Sequence, residues 1–600
     1  MAINNRLQLL FNHKEADTTQ DATSNTLKDS PANQKTADVY DREDGFGDKP
    51  SDEAVPTQDA QSGIQKIQAA TLVWSRWSLA GILFSLWLVT LANGFRTAIQ
   101  ASLTPYATSD FQSHSLLTVI NIVSGAMTSA LYIPVAKLVD VWGRAESWLL
   151  MVGFSTLGMV MMAASKNLET YCAADVFYSV GFGGMNYILC VIAADVTSLR
   201  NRGIAFAFTS SPWMITAFAG SKAAENFLIN VDWRWGFGAF AIILPFIASP
   251  VYFILKFSMK KAEKQGLITP TARSGRTLSE NIRYYFFEFD LPGVVLFAAG
   301  LTVFLLPFTL ASRAPNGWAT NYIIAMIVVG FVVLVLFALY QLYLAPVPFI
   351  KHKFLLDRTI IGTCLLNATY QMAYYCWNSY FTSFLQVVSN LGVAEAGYVN
   401  STFQVVSGLL LFMVGYAIRK TGYFRWLLWI GVPLYIFAQG LMIHFRQPNQ
   451  YIGYIVMCEI FISIGGSTFI LIGQLSVLAA VDHQHVAAAL SVLFIFGGIG
   501  GSIGNAISGA IWTNTFLPAL QRKLPASALP DVLTIYSSLP AQLAYPKGTP
   551  ERIAIQESYG YAQTRMLAAG TGLMVLCFAW VAMIRNYNVK KMTQTKGVVF

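Results

Sequence analysis

The stretch Leu131-Tyr-Ile-Pro-Val-Ala-Lys-Leu-Val-Asp-Val-Trp-Gly-Arg-Ala-Glu146 decides the fold. It is a short charged turn between two apolar runs, 116–135 and 147–164. Each run is close to the roughly 20 residues that cross a bilayer as a helix. Only a tight hairpin fits between such spans, so Lys137, Asp140 and Arg144 fall at the membrane surface. A Lys/Arg excess marks the cytoplasmic side there. Asp140 is placed to accept from Arg144 or from a neighbouring helix end, and Gly143 lets the chain turn with a positive φ. These three charged residues are the candidate gating group; the competing reading is a positively flanked hairpin with no such role.

Working outward, 55% of the 600 residues are hydrophobic and only 12% are charged. A soluble chain of this length would need several charged surfaces, so lipid must serve as most of the solvent. Residues 1–70 carry twelve acidic against seven basic residues, a net −5, which leaves +14 of the total +9 on the rest. The basic excess thus belongs to membrane loops, which argues against nucleic acid as a partner. The six cysteines lie inside apolar segments and suggest neither disulfides nor a metal site. The six histidines show no ligand spacing. No phosphate-binding Gly-x-x-x-x-Gly-Lys-Ser/Thr loop occurs, so an ion gradient or membrane potential must supply the energy. The chain is read as a non-enzyme with no resident metal or cofactor.

Residues 1–70 read as a disordered acidic cytoplasmic tail without the apolar core of a signal peptide. Apolar runs predict fourteen spans: 78–99, 116–135, 147–164, 171–194, 203–222, 235–256, 291–311, 321–344, 359–385, 395–418, 424–444, 451–475, 486–512 and 564–584. Basic clusters alternate with sparsely charged loops, among them the single Lys166, Arg234, Arg313 and Arg446, so both termini are cytoplasmic. Residues 257–290 form a cytoplasmic loop and 586–600 the cytoplasmic C-terminus. Between the last two spans, 513–561 is a long external loop with enough apolar residues to order as a cap.

Within the spans, Asn367, Gln371, Tyr374 and Asn378 recur on one helical face, with Tyr370, Tyr375, Trp377 and Tyr380 beside it. A polar face cannot meet lipid, so it meets protein or a wet cavity. Helix–helix hydrogen bonding is the bland reading; a pocket for a large, amphipathic, uncharged ligand is the sharper one. Similar faces hold Thr90, Asn93, Thr97 and Gln100 with Arg96 on the first span, and Asp175, Asn186 and Tyr187 on the fourth. The twelfth adds Glu459, Ser463, Gly466 and Gln474. Asp175 and Glu459 are proton-coupling candidates, with a structural hydrogen-bonded pair as the alternative. Gly497/Gly501 and Gly500/Gly504 suit close helix contact. Tyr559 and Tyr561 form a candidate external lid if their segment is extended; otherwise they are interfacial anchors.

With these residues assembled, the chain resembles a fourteen-span member of the major facilitator superfamily. Asp140, Gly143 and Arg144 match its loop signature, which this chain departs from at Ala136. More narrowly it resembles the fungal siderophore–iron transporters. The similarity rests on Asp140-Val-Trp-Gly-Arg144, Ala194-Asp-Val-Thr-Ser-Leu-Arg-Asn-Arg202, Asp232-Trp-Arg-Trp-Gly-Phe237, Asp482-His-Gln484 and the last external loop with Tyr559-Gly-Tyr561. Within that family it is most similar to filamentous-fungal transporters of triacetylfusarinine-type hydroxamates. The resemblance implies two six-helix bundles, 75–256 and 359–585, with two inserted helices at 291–344. Spans 1, 4, 9 and 12 then face a central cavity. It implies a monomer in the plasma membrane, with endosomal vesicles as a second compartment. The expected activity is uptake of an intact ferric hydroxamate siderophore by proton symport with alternating access. Asn93, Arg96, Asn186, Tyr187, Asn367, Gln371, Tyr374, Trp377, Asn378, Tyr559 and Tyr561 become substrate-binding candidates. A drug/proton antiporter of the same architecture and a transporter-like nutrient sensor are the alternatives.

Overall fold

The computed structural model describes residues 62–267, 277–346, 352–482, 485–590 and 592, and every regular element among them is helical. A short helix, α1 (Ser62–Val73), leads into α2 (Arg76–Asp110), which Ser75 caps through a 3.2 Å bond from the Ser78 N–H. The helices α3 (Leu117–Val141), α4 (Arg144–Ala164) and α5 (Leu168–Asp195) follow. Next come α6 (Leu199–Ser210) and α7 (Pro212–Asn230), which meet at Ser211. Proline opens α7 because its missing N–H needs no partner in a first turn. Asp232 caps the long α8 (Trp233–Lys264).

A Thr277/Glu280 capping box starts α9 (Leu278–Glu288), a short helix with no buried residue. The pair α10 (Leu291–Leu310) and α11 (Asn321–Leu339) stands apart in chemistry, since α11 exposes apolar residues such as Val328, Val329, Phe331 and Leu336 all around. That surface suits lipid. Phe297, Leu301 and Leu305 of α10 pack between Ile122 and Ala126 of α3 and Ile495 and Ala506 farther along the chain. The buried Asp290 holds the pair together, accepting from the Gly293 N–H at 3.2 Å and the Tyr340 hydroxyl at 2.9 Å.

The C-terminal helices are α12 (His352–Leu356), α13 (Arg358–Asn378), α14 (Phe381–Val387), α15 (Val393–Asn400), α16 (Thr402–Thr421), α17 (Arg425–Phe445), α18 (Ile452–Ala479) and α19 (Val486–Lys523). Two short helices, α20 (Val532–Ser537) and α21 (Leu539–Ala544), precede α22 (Pro550–Met574) and α23 (Cys577–Met583). Gly500 and Gly504 let α19 lie directly on α13: a Cβ at Gly500 would sit 2.2 Å from the Ala368 carbonyl oxygen.

Twelve helical stretches among the described residues are long and apolar enough to cross a membrane. The fifth and ninth expected spans are not among them. One is broken at Ser211, and the other is the polar α13 followed by α14. Some boundaries also move. The expected tail to residue 70 contains the start of α1; residues 1–61 lie outside the described residues. The expected cytoplasmic loop 257–290 includes the end of α8 and all of α9, while 268–276 are not described. The expected external loop 513–561 is shorter as a connection, because α19 runs on to Lys523 and α22 begins at Pro550.

Candidate substrate cavity and gating hairpin

A cavity of about 610 Å³ lies between the N-terminal and C-terminal helices. The expected faces of α2, α5, α13 and α18 line it through Gln100, Asp175, Gln371 and Gln474. The helices α3, α16 and α19 join them through Asn121, Gln404 and Asn505. Ten lining side chains are carboxamides and ten are aromatic rings, while Asp175 is the one charged residue in the lining. Such a wall offers donors, acceptors and stacking surface without a charged clamp.

Of the candidate residues, the cavity gathers Asp175, Asn186, Asn367, Gln371, Tyr374 and Asn378. Asp175 accepts from the Gln100 amide at 3.1 Å and from the Ser179 hydroxyl at 3.4 Å. Asn378 donates to the Tyr374 hydroxyl at 3.0 Å. Other candidates fall outside the lining. Asn93 and Arg96 are buried within the N-terminal helices, with the Arg96 guanidinium 3.0 Å from the centre of the Tyr178 ring. Tyr187 is buried and donates to the Ala487 carbonyl at 2.6 Å. Trp377 stands behind Tyr374, its ring nitrogen donating to the Tyr435 hydroxyl at 3.2 Å. Glu459 is fully buried, and neither carboxylate oxygen has a hydrogen-bond partner among the described residues.

The extended geometry expected for Tyr559 and Tyr561 is overturned, because both sit on α22, where residues two apart point in diverging directions. Tyr559 is buried against Trp512 and Phe516 and donates to Gln542 at 2.7 Å. Tyr561 instead carries the Arg565 guanidinium 3.4 Å from its ring centre. Arg446, read from the sequence as a single charge in a short external loop, is fully buried.

Sequence reading missed Asn121 and Asn505, which reach each other across the cavity at 3.4 Å. The signal was present: each is a carboxamide inside an apolar run. It also missed an internal repeat. Asp175-Val-Phe-Tyr-Ser-Val-Gly181 on α5 matches Glu459-Ile-Phe-Ile-Ser-Ile-Gly465 on α18. Both helices have 28 residues, and the carboxylate is the eighth of each. The glycines do the same work: Gly181 lies against Ser155 of α4 and Gly465 against Tyr435 of α17.

The hairpin between α3 and α4 turns at Gly143, whose φ is +112°. Arg144 donates to Asp195 at 3.0 Å, to the Val139 carbonyl at 3.2 Å, and lies 3.6 Å from Asp140. All three charged groups are buried. Arg202 closes the end of α5 through the Ala194 and Thr197 carbonyls at 3.0 and 3.2 Å. Lys137 donates to the Glu288 carbonyl at 2.8 Å, tying the hairpin to α9. Helix α1 is laid over the turn, so that a Cβ at Gly63 would come 2.4 Å from the Asp140 carbonyl oxygen.

N-terminal and C-terminal helices touch at both ends of the cavity. At the hairpin end, Tyr187 bonds Ala487, and the Tyr132 and Phe494 rings meet at 5.3 Å. At the other end, Tyr106 bonds Gln386, and Tyr380 donates to the Ser115 carbonyl at 2.9 Å. The segment after α19 covers this end, with the Leu539 N–H on Ser109 at 3.0 Å.

The Major Facilitator Superfamily pattern matches residues 86–388. The fold is similar to a solved peptide transporter POT, with a TM-score of 0.53 at 14% identity over 87% of this chain and 99% of that one. The chain is a multi-span membrane transporter of the major facilitator class. It is 73% identical to the siderophore iron transporter mirB of Emericella nidulans over the full length of both. It is 60% identical to the MFS siderochrome iron transporter 1 of Gibberella zeae, over 92% of this chain and 91% of that one. The chain therefore belongs to the fungal siderophore–iron transporter family of the Major Facilitator Superfamily.

Proposed function

We infer that this chain is a secondary transporter that takes up ferric siderophores, with the iron carried inside its chelate. The observation that carries this reading is the cavity wall, where ten carboxamides and ten rings surround a single carboxylate. A bulky neutral chelate such as a ferric hydroxamate is matched by hydrogen-bonding amides and stacking rings. An exporter of apolar cations would draw on more acidic groups in its pocket.

In the proposed architecture the twelve apolar stretches are joined by α6–α7 and α13–α14 as the fifth and ninth spans, giving fourteen. Spans 1–6 and 9–14 form two bundles, with α10 and α11 inserted between them in sequence. Both termini then lie in the cytoplasm of a plasma-membrane protein, a reading the basic hairpins support. Alternating access proceeds by rocking of the bundles around the cavity. The contacts at its two ends open in turn, with Lys137, Asp140 and Arg144 biasing the hairpin end. Protons drive uptake through Asp175, the repeat carboxylate that reaches the cavity.

Iron-limited growth of a yeast lacking siderophore transporters tests the function, with and without this chain and a supplied ferric hydroxamate. Growth that depends on both supports uptake. Export of a toxic cation without growth rescue would favour the antiporter reading instead.

A further inference from the structure

The ninth span is not one helix. It stops at Asn378 and restarts at Phe381, and Tyr380 between them holds a left-handed conformation with φ +59°. A non-glycine residue keeps that backbone only where its surroundings over-determine it. Here the Tyr380 ring stacks on Trp512 at 4.2 Å, and its hydroxyl is tied to Ser115. The break also faces the cavity, since Asn378, Ser379 and Tyr380 all line it. Irregular backbone at membrane depth is tolerated where it borders such a space.

One further group grips the break from behind. Arg446 closes α17, is fully buried, and donates to the Trp377 carbonyl in the last turn of α13. Its guanidinium lies 4.1 Å from the Phe381 ring centre and 5.1 Å from that of Phe384, the first turn of α14. A cation at a helix C-terminus, bonded to a late carbonyl, is favourable on charge grounds alone. One side chain therefore holds both sides of the break. Its Nε and one Nη have no partner among the described residues.

We propose that Arg446 is the positioning residue that holds the break in the ninth span and thereby sets the cavity wall at Tyr374, Asn378 and Tyr380. This rests on the reading of the cavity as the siderophore site. Arg446 touches no substrate; it acts through the backbone it holds.

The test is uptake of ferric triacetylfusarinine in yeast lacking its own siderophore transporters, as KM and maximal rate per surface copy. Arg446→Gln, Arg446→Lys and the Arg446→Gln/Glu459→Gln double variant are compared. A second readout needs no substrate: the rate at which Ser379→Cys reacts with a membrane-permeant maleimide, over the native-cysteine background, with and without Arg446→Gln. Arg446→Gln should raise KM at least about tenfold with the maximal rate within about threefold, and should change the labelling rate. Arg446→Lys should fall between, because an ammonium keeps the charge but not the fork or the stacking. If Arg446→Gln fails to reach the membrane, the double variant takes its place, as it leaves no lone buried charge. A KM within about twofold of the parent or an unchanged labelling rate overturns the assignment. If the parent chain does not transport, the siderophore reading falls, and the labelling alone decides the role of Arg446.

Discussion

The helices α5 and α18 carry the same seven-residue pattern with a carboxylate in the same register, yet the two carboxylates live in different places. Asp175 lines the cavity and accepts from Gln100 and Ser179. Glu459 is fully buried outside the cavity lining, and neither carboxylate oxygen has a hydrogen-bond partner among the described residues. The hairpins of the two halves diverge in a parallel way. The first turns at Gly143 over buried Arg144, Asp140 and Asp195. The second turns at Gly422 and is held by main chain, with the Val589 N–H on the Gly422 carbonyl at 2.9 Å. The glycine contacts of the two halves correspond, whereas the ionic groups do not: buried charge lines the cavity at Asp175 and locks the first hairpin at Arg144.

The strongest way to break this comparison is at the hairpins. Arg144→Ala leaves Asp140 and Asp195 buried without their cation, and removing one partner of a buried pair costs about 3–5 kcal/mol. Arg425, beside the second hairpin, is half-buried and donates to the Ala582 carbonyl at 3.1 Å. Its loss should cost about 1 kcal/mol or less. Thermal unfolding of the two purified variants in detergent checks the ratio. Equal losses would mean that the hairpins are not specialised. Asp140→Asn, which keeps the shape, should slow uptake with little change in KM.

Next comes the carboxylate pair. Asp175→Asn should cut concentrative uptake about a hundredfold while leaving exchange of labelled for unlabelled siderophore across the membrane. Glu459→Gln should keep the response of uptake to external pH. If Glu459→Gln is the variant that loses the pH response, coupling sits outside the cavity lining, and the comparison is inverted.

A smaller effect separates the two faces of α13. Gln371→Ala removes one hydrogen-bonding group from the cavity wall and should raise KM about fivefold, the worth of roughly one such bond. Met372 lies outside the cavity lining, against Gly504 of α19. Met372→Leu, a near volume-conserving change, should leave KM alone. Saturation curves at matched surface abundance decide this. Equal KM values would remove Gln371 from the site.

How much of this was legible in the sequence depends on the range of the interaction. Apolar runs and the charged turn around Gly143 are local signals, so the membrane class and most spans followed from them. The polar stripe of α13 was legible because a helix repeats its faces at fixed spacing. The burial of Arg446 was not legible, because nothing local distinguishes a loop arginine from one buried against Phe381 and Phe384, both some sixty residues away in sequence. Tyr559 and Tyr561 were misread because extended and helical geometry give opposite answers for residues two apart. The seven-residue repeat was readable, but only by laying one half of the chain on the other.

The smallest effects distinguish the cap from the cavity. Tyr559 is part of the packed cap, where it bonds Gln542 and meets Trp512 and Phe516. Tyr561 is only partly buried, and its main contact is the Arg565 guanidinium on the same helix. Neither ring lines the cavity. Tyr559→Phe keeps the packing but strands the Gln542 oxygen, which should cost about 1 kcal/mol of stability. Tyr561→Ala gives up a cation–π contact worth about 0.5–1 kcal/mol at an exposed site. Binding should respond less than stability in both, with apparent affinity for ferric siderophore within about twofold of the parent at equal surface abundance. That follows because both rings act on the cap and not on the ligand. A tenfold weakening in Tyr561→Ala, with unfolding unchanged, would mean that the ligand meets this ring on its way in, and the cap would then count as part of the binding site.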